Sequence, residues 1–300
     1  MATQYIKTKG SVFHMEEDLY KPGNILFVDQ SSIKTTDGTN TNVVVGSASD
    51  RGYVEGVGET ARFKRIFGFK QISKFQVLVA DGGNHCVRSI DRKTNQTSLY
   101  VGVPMKEGSV DGPGGIAEFN SPCGLMLVSE SSLLISDYLS GAIRLVNRKT
   151  REVSTYISRI TYPKQMLMHP SGTKFYCCME YSVAEIDIAS RTYNVLTSVE
   201  AGYEDSSIDE SKFEWPSSMD WLTPDTLVVA DKSSRGNPNT KRIRVISLAQ
   251  NQVTSICLSV SQSPDKCPFY RVHSVLKSGD KLYIGGDGSI NTRNLSDGMC

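Results

Sequence analysis

Three groups of residues in this 300-residue chain carry reactive or charged chemistry: four histidines (His14, His85, His169 and His273), seven cysteines, and a set of Asp–Arg pairs beside a run of unbalanced cations. The histidines and cysteines form no zinc pattern, because there is no Cys-x-x-Cys and no Cys/His cluster at ligand spacing. No Ser-His-Asp order or nucleophile elbow is present. An odd number of cysteines leaves at least one thiol unpaired or bound to another chain. Cys177 and Cys178 are adjacent in an apolar run and face opposite sides of a strand, while Cys257 and Cys267 are spaced for a local loop bridge. The glycine pairs Gly56/Gly58 and Gly112/Gly114 suit tight turns and lack the helix that a phosphate loop requires. No metal and no cofactor is expected, and the reading leans away from an enzyme.

The charged groups depend on the elements that carry them. With 33 basic and 32 acidic residues the net charge is +1, which argues against a protein that coats nucleic acid by bulk charge. A hydrophobic content of 39% is enough for a core, and the longest apolar runs are too short to insert in a membrane. The N-terminus shows no basic region followed by an apolar stretch, so the reading leans to a cytoplasmic rather than an extracellular location. Gly52–Tyr100 and Gly108–Tyr156 align without a gap at an offset of 56, and sixteen of the 49 positions are identical. Among them are Phe63/Phe119, Gly68/Gly124, Asp81/Asp137 and Arg88/Arg144. A third copy follows, in which Phe213, Pro216, Asp231 and Arg244 recur. Apolar runs that end in turns centre near residues 28, 80, 136, 178, 230 and 285, a spacing of about fifty residues, which is the length of a four-stranded propeller blade. Short strands between Gly, Asp, Ser and Asn turns form a meander that must bury both faces against neighbours. The expected fold is therefore an all-β, six-bladed β-propeller of four-stranded antiparallel blades over residues 1–300 as one domain. The last blade has strands at 270–276, 281–284 and 290–294, and residues 3–8 are expected to complete it as its outermost strand.

These repeats resemble the NHL family. The repeat over Gly52–Tyr100 carries Asp81-Gly82-Gly83-Asn84-His85-Cys86-Val87-Arg88, and that over Gly108–Tyr156 carries Ala117-Glu118-Phe119-Asn120-Ser121-Pro122, Asp137 and Ile143-Arg144. The resemblance implies a six-bladed β-propeller and no single activity, since its members include RNA-binding and protein-binding domains, bacterial sensors and a zinc-dependent amidating lyase. A lyase or hydrolase with a metal in the central channel is one alternative that it leaves open. Three histidines at matched heights in the channel would be required.

A residue that recurs from blade to blade builds the blade, so binding belongs to the exceptions. Asp81/Arg88, Asp137/Arg144 and Asp231/Arg244 read as structural pairs, and Phe63, Phe119 and Phe213 as core plugs. The linker into blade 2, Ala61-Arg62-Phe63-Lys64-Arg65-Ile66-Phe67-Gly68-Phe69-Lys70, holds four cations, whereas its counterpart from Ala117 to Met126 holds none. Arg51, Arg62, Lys64, Arg65, Lys70, Arg159 and Lys164, with Phe67 as an apolar floor, are the candidate binding residues. They fall in linkers that share one face of a propeller with the loops between second and third strands. The linker into blade 5 is acidic, with six carboxylates from Glu200 to Glu214 against Lys212, and blade 5 carries a polar insertion over 232–242. This balance favours a protein or peptide partner, with single-stranded RNA on the basic arc as the alternative.

Overall fold

The computed structural model describes residues 5–232, 242–256 and 271–297. Cys257, Cys267 and most of the 232–242 insertion lie outside the described residues. The chain is all-β. Strand β1 (Tyr5–Ser11) is followed by a sheet of β2 (Met15–Glu17), β3 (Ile25–Asp29), β4 (Ser32–Thr36) and β5 (Thr41–Gly46). The second sheet holds β6 (Ile66–Ser73), β7 (Gln76–Asp81), β8 (Cys86–Asp91) and β9 (Gln96–Val101). The third holds β10 (Pro122–Ser129), β11 (Ser132–Asp137), β12 (Ala142–Asn147) and β13 (Val153–Ser158). The fourth is β14 (Met166–Met168), β15 (Lys174–Cys178), β16 (Val183–Asp187) and β17 (Tyr193–Val195). The fifth is β18 (Pro216–Thr223), β19 (Thr226–Asp231), β20 (Arg242–Ser247) and β21 (Gln252–Ile256). The sixth combines β22 (Val272–Ser278), β23 (Lys281–Asn294) and the N-terminal β1, in the order β1-β23-β22. This is the six-bladed β-propeller fold. The only helical pieces among the described residues are single 3₁₀ turns.

The sixth sheet has one difference from the sequence reading. The segments 281–284 and 290–294 form one continuous strand, whose first half pairs with β22 and whose second half pairs with β1 through Tyr5↔Asn291 and Ile6↔Ile290. Gly285, Gly286 and Gly288 carry the chain between the halves without a turn.

Two compact units each contain three blades: residues 14–166 hold blades 1–3, and residues 1–13 with 167–300 hold blades 4–6. In the first unit Leu78, Val87 and Tyr100 of blade 2 pack with Phe119, Leu125 and Ile135 of blade 3 in one core. In the second, Tyr176 and Cys178 pack with Phe213 and Met219, while Val228 and Ile243 pack with Val275 and Ile284. The meander hides both apolar faces in this way, each fully buried aromatic contributing about 2–3 kcal/mol.

Every strong repeat carries the same buried device. Arg144 bridges Asp137 (3.3 Å) and Asp111 (2.5 Å), donates to the carbonyls of Glu118 and Val110, and lies over the Phe119 ring. Arg244 repeats this with Asp231 (3.3 Å), Asp205 (2.9 Å) and Phe213. Arg88 keeps Asp81 (3.6 Å) and Phe63, but takes the Thr97 hydroxyl (3.0 Å). All three guanidinium groups are fully buried. The pairs are structural, as the recurrence indicated. The register of blade 1 puts Lys34 at the same position, 2.6 Å from buried Asp29. Its cassette survives with lysine in place of arginine, so the blade carries no Asp–Arg pair in its sequence.

Candidate functional site

The linker into blade 2 is strapped onto the turn that joins β7 to β8. Asp81 accepts from the Lys64 backbone N–H (3.0 Å), Asn84 donates to Asp81 (2.8 Å) and to the Gly52 carbonyl (2.8 Å), and Gly83 donates to the Arg65 carbonyl (3.4 Å). Burial pushes the Asp81 carboxyl up, and the donors from Asn84 and Arg88 pull against it. Linker and turn thus form one face in this unit.

The glycines of this turn are required by close approach. A β-carbon at Gly82 would overlap the Phe67 ring, and one at Gly83 would lie 3.0 Å from the side chains of Lys64 and Arg65. The turn is therefore a flat bed on which three bulky linker side chains rest. Arg65 lies 4.6 Å over the Phe67 ring, and Lys64 and Arg65 are exposed. A cation held on a half-buried aromatic ring loses little freedom when it meets a carboxylate.

The other candidates divide. Arg51 and Arg159 are exposed, Arg159 with a left-handed φ of 61° just after β13. Arg62 is engaged by the linker itself: it donates to the carbonyls of Glu59 (2.5 Å) and Ala61 (2.9 Å) and pairs with Asp50 at 3.4 Å. Lys70 lies four residues along β6 from Ile66, or about 13 Å, and its ammonium is 2.6 Å from Glu16 of blade 1. Burial raises the Glu16 carboxyl, but Lys70 and His14 outweigh it and hold the group at about 2. Gln71 also donates to Glu16 and to the Glu17 carbonyl. Lys70 is an inter-blade fastening rather than part of a free arc. Lys164 is only 4% exposed. The expectation that it lines an open basic rim is corrected, since its carbonyl packs against Gly124 and the linker folds inward there.

Cys123 and His85 complete the neighbourhood without having been singled out as site residues. Burial pushes the Cys123 thiol up to about 12, while the charges of Lys164 and Arg65 act against the shift. These two cations, from the linkers into blades 4 and 2, therefore share one locality. His85 accepts from the Ser121 backbone N–H at 3.3 Å, and its φ of 57° matches its place in the tight turn. Tyr138 and Tyr162 stack at 5.1 Å on the same kind of turn and linker one blade further on. A comparison of positions 82 and 83 with 138 and 139 in the repeat would have revealed both features, since Gly-Gly becomes Tyr-Leu.

The remaining histidines serve local partners. His14 lies edge-on to Phe69, His169 contacts the Ser171 hydroxyl, and His273 pairs with Asp287 at 2.6 Å. Asp287 also accepts from Ser11; burial raises its carboxyl, and these partners bring it down to about 2. Among the described residues, no group of three or more His, Cys, Asp or Glu side chains is arranged to hold a metal ion. No helix among them is long and apolar enough to cross a membrane. In the acidic linker, Asp205 serves Arg244 and Ser255, and Glu200 and Glu204 face Lys212.

Fold and repeated cassette together define a β-propeller built from arginine-locked blades. No family model matches the chain. It is 28% identical to the NHL repeat-containing protein 2 of Bos taurus over 148 residues, which covers 45% of this chain and 20% of that protein's length. It superposes on an auxiliary nutrient binding protein from Bacteroides thetaiotaomicron with a TM-score of 0.70 at 10% identity, over 95% of this chain and 69% of that one. A chain of a nidogen/laminin complex gives a TM-score of 0.61 at 12% identity, over 91% and 90% of the two chains. The chain is a six-bladed β-propeller whose repeats are similar, over part of their length, to those of an NHL repeat-containing protein.

Proposed function

We propose that this propeller is a non-catalytic binding module that takes a protein or peptide segment on the linker face of blades 2 and 3. The observation that carries the reading is the Arg65–Phe67 stack beside exposed Lys64, on a bed of two glycines. None of these three side chains belongs to the buried cassette. Arg51 and Arg159 extend the positive surface on linkers of the same unit. The fold's neighbours support a binding role in general, one being a nutrient binding protein and another a member of a nidogen/laminin complex. An acidic peptide that also offers an apolar side chain to Phe67 suits this surface.

Paired charge reversal, Lys64→Glu with Arg65→Glu, tests the reading. Crosslinking followed by mass spectrometry of the bound set, in the source cells, should lose its specific partners while the melting temperature stays unchanged. An identical bound set would overturn it. Single-stranded RNA is the alternative occupant. It would show binding that falls steeply between low and moderate salt, and a flat response would exclude it.

A further inference from the structure

A second exposed cluster lies at the opposite end of blades 1 and 2, where first strands turn into second strands and third into fourth. Tyr20, in the β2–β3 turn, and Phe75, in the β6–β7 turn, meet edge to face at 6.2 Å. Leu19 is 49% exposed, and Tyr20 and Phe75 are each 37% exposed. The ammonium of Lys74 lies 4.8 Å from the Phe75 ring centre and that of Lys93 4.3 Å from it. The two charges are therefore less than twice 4.8 Å apart. Lys21, Lys74 and Lys93 form no ion pair with a carboxylate among the described residues.

The cluster is held from below. Arg92 lies 5.2 Å over Tyr20 and pairs with buried Asp18 at 3.1 Å, and Asp18 in turn accepts from the backbone N–H of Tyr20. Gln71 accepts from the Leu19 N–H, and Arg92 donates its own N–H to the Phe75 carbonyl. Both turns are thus ordered before any ligand arrives, which lowers the entropic cost of docking. The repeat does not demand this surface: the positions of Lys74 and Phe75 are Glu130 and Ser131 in blade 3.

We propose that this turn face of blades 1 and 2 is a second docking surface, which takes an extended acidic peptide that presents two carboxylates and then an apolar side chain at every second position, all on one face. Carboxylates two residues apart on one face of an extended chain are separated by about 7 Å, within the span of the Lys74 and Lys93 ammoniums. An apolar side chain two residues further along the same face meets Tyr20 and Leu19, while the residues in between point away from the surface. A lipid surface fits less well, because the aromatic rings are more than half covered and flanked by cations instead of standing clear of them.

The test is fluorescence anisotropy with the intact chain and a labelled synthetic peptide pool in which two glutamates and then a tyrosine, phenylalanine or leucine occupy every second position, with serine between them. Saturable binding is expected, about tenfold or more weaker for Phe75→Ala and for the double variant Lys74→Glu with Lys93→Glu. A pool with lysines in place of the glutamates should not bind. Lys64→Glu with Arg65→Glu should leave this affinity unchanged, which separates the outcome from that of the linker face. Circular dichroism melts establish that each variant folds. Absence of saturable binding, equal affinity for Phe75→Ala, or binding only to phosphatidylserine vesicles would overturn the proposal.

Discussion

Blades 2 and 3 share a skeleton and exchange their bulk. In blade 2 the turn is Gly82-Gly83, and the large side chains Lys64, Arg65 and Phe67 come from the linker. In blade 3 the turn carries Tyr138 and Leu139, and the linker offers Asn120, Ser121 and Cys123. Both satisfy the same backbone bonds, since Asp81 holds the Lys64 N–H and Asp137 holds the Asn120 N–H (2.7 Å). The difference teaches that the cassette fixes where linker and turn meet but leaves open which of them fills the space above. Blade 2 fills it with exposed cations, and blade 3 fills it with a tyrosine that meets the next linker.

The largest effects should come from the shared skeleton. Arg144→Ala strands buried Asp137 and also frees Asp111, so it should cost about 3–5 kcal/mol in denaturant unfolding. Arg88→Ala strands one carboxylate and a hydroxyl and should cost less. Equal losses would show that the second carboxylate of blade 3 contributes nothing.

Lys70→Met installs the blade 3 residue at the fastening to blade 1. Glu16 has a folded value of about 2, below its ordinary 4.5. Its stabilisation is therefore complete above about 4.5 and lost as the pH falls to about 2. The variant should be less stable by about 1–3 kcal/mol at pH 7, and the gap should close across that acid window. A gap that persists at pH 2 would place the role of Lys70 in packing instead of charge.

Gly82→Ala drives a methyl group into the Phe67 ring and the Pro122 carbonyl (2.8 Å). A loss of about 1–3 kcal/mol is expected, with a change in the Phe67 ring-proton shifts. The smallest effect on folding belongs to Lys64→Asn with Arg65→Ser, which grafts the blade 3 linker onto blade 2. Stability should stay within about 0.5 kcal/mol, while affinity for any linker-face ligand falls. Destabilisation beyond that would assign these cations to the scaffold.

Fold class was legible because each blade repeats a local message. The offset between Gly52–Tyr100 and Gly108–Tyr156, the Asp-to-Arg spacing and the turn glycines all lie within one meander, where sequence distance and spatial distance agree. The candidate site was legible in part. Composition singled out the linker 61–70, and Lys64, Arg65 and Phe67 do meet there. Arg62, Lys70 and Lys164 could not be separated from them by sequence, since their partners are Glu59 and Asp50, Glu16 of another blade, and the interior beside Cys123.

The sequence by itself determined the number and kind of blades and the residues that lock blades 2, 3 and 5. It did so because a hydrophobic period, a turn and an ion pair closed within some fifty residues are local constraints. Tertiary structure alone decided which cations remain exposed and that Tyr20 meets Phe75. Those outcomes depend on how neighbouring sheets register against one another. A contact across fifty or more residues is fixed by packing shape, which no short stretch of chain encodes.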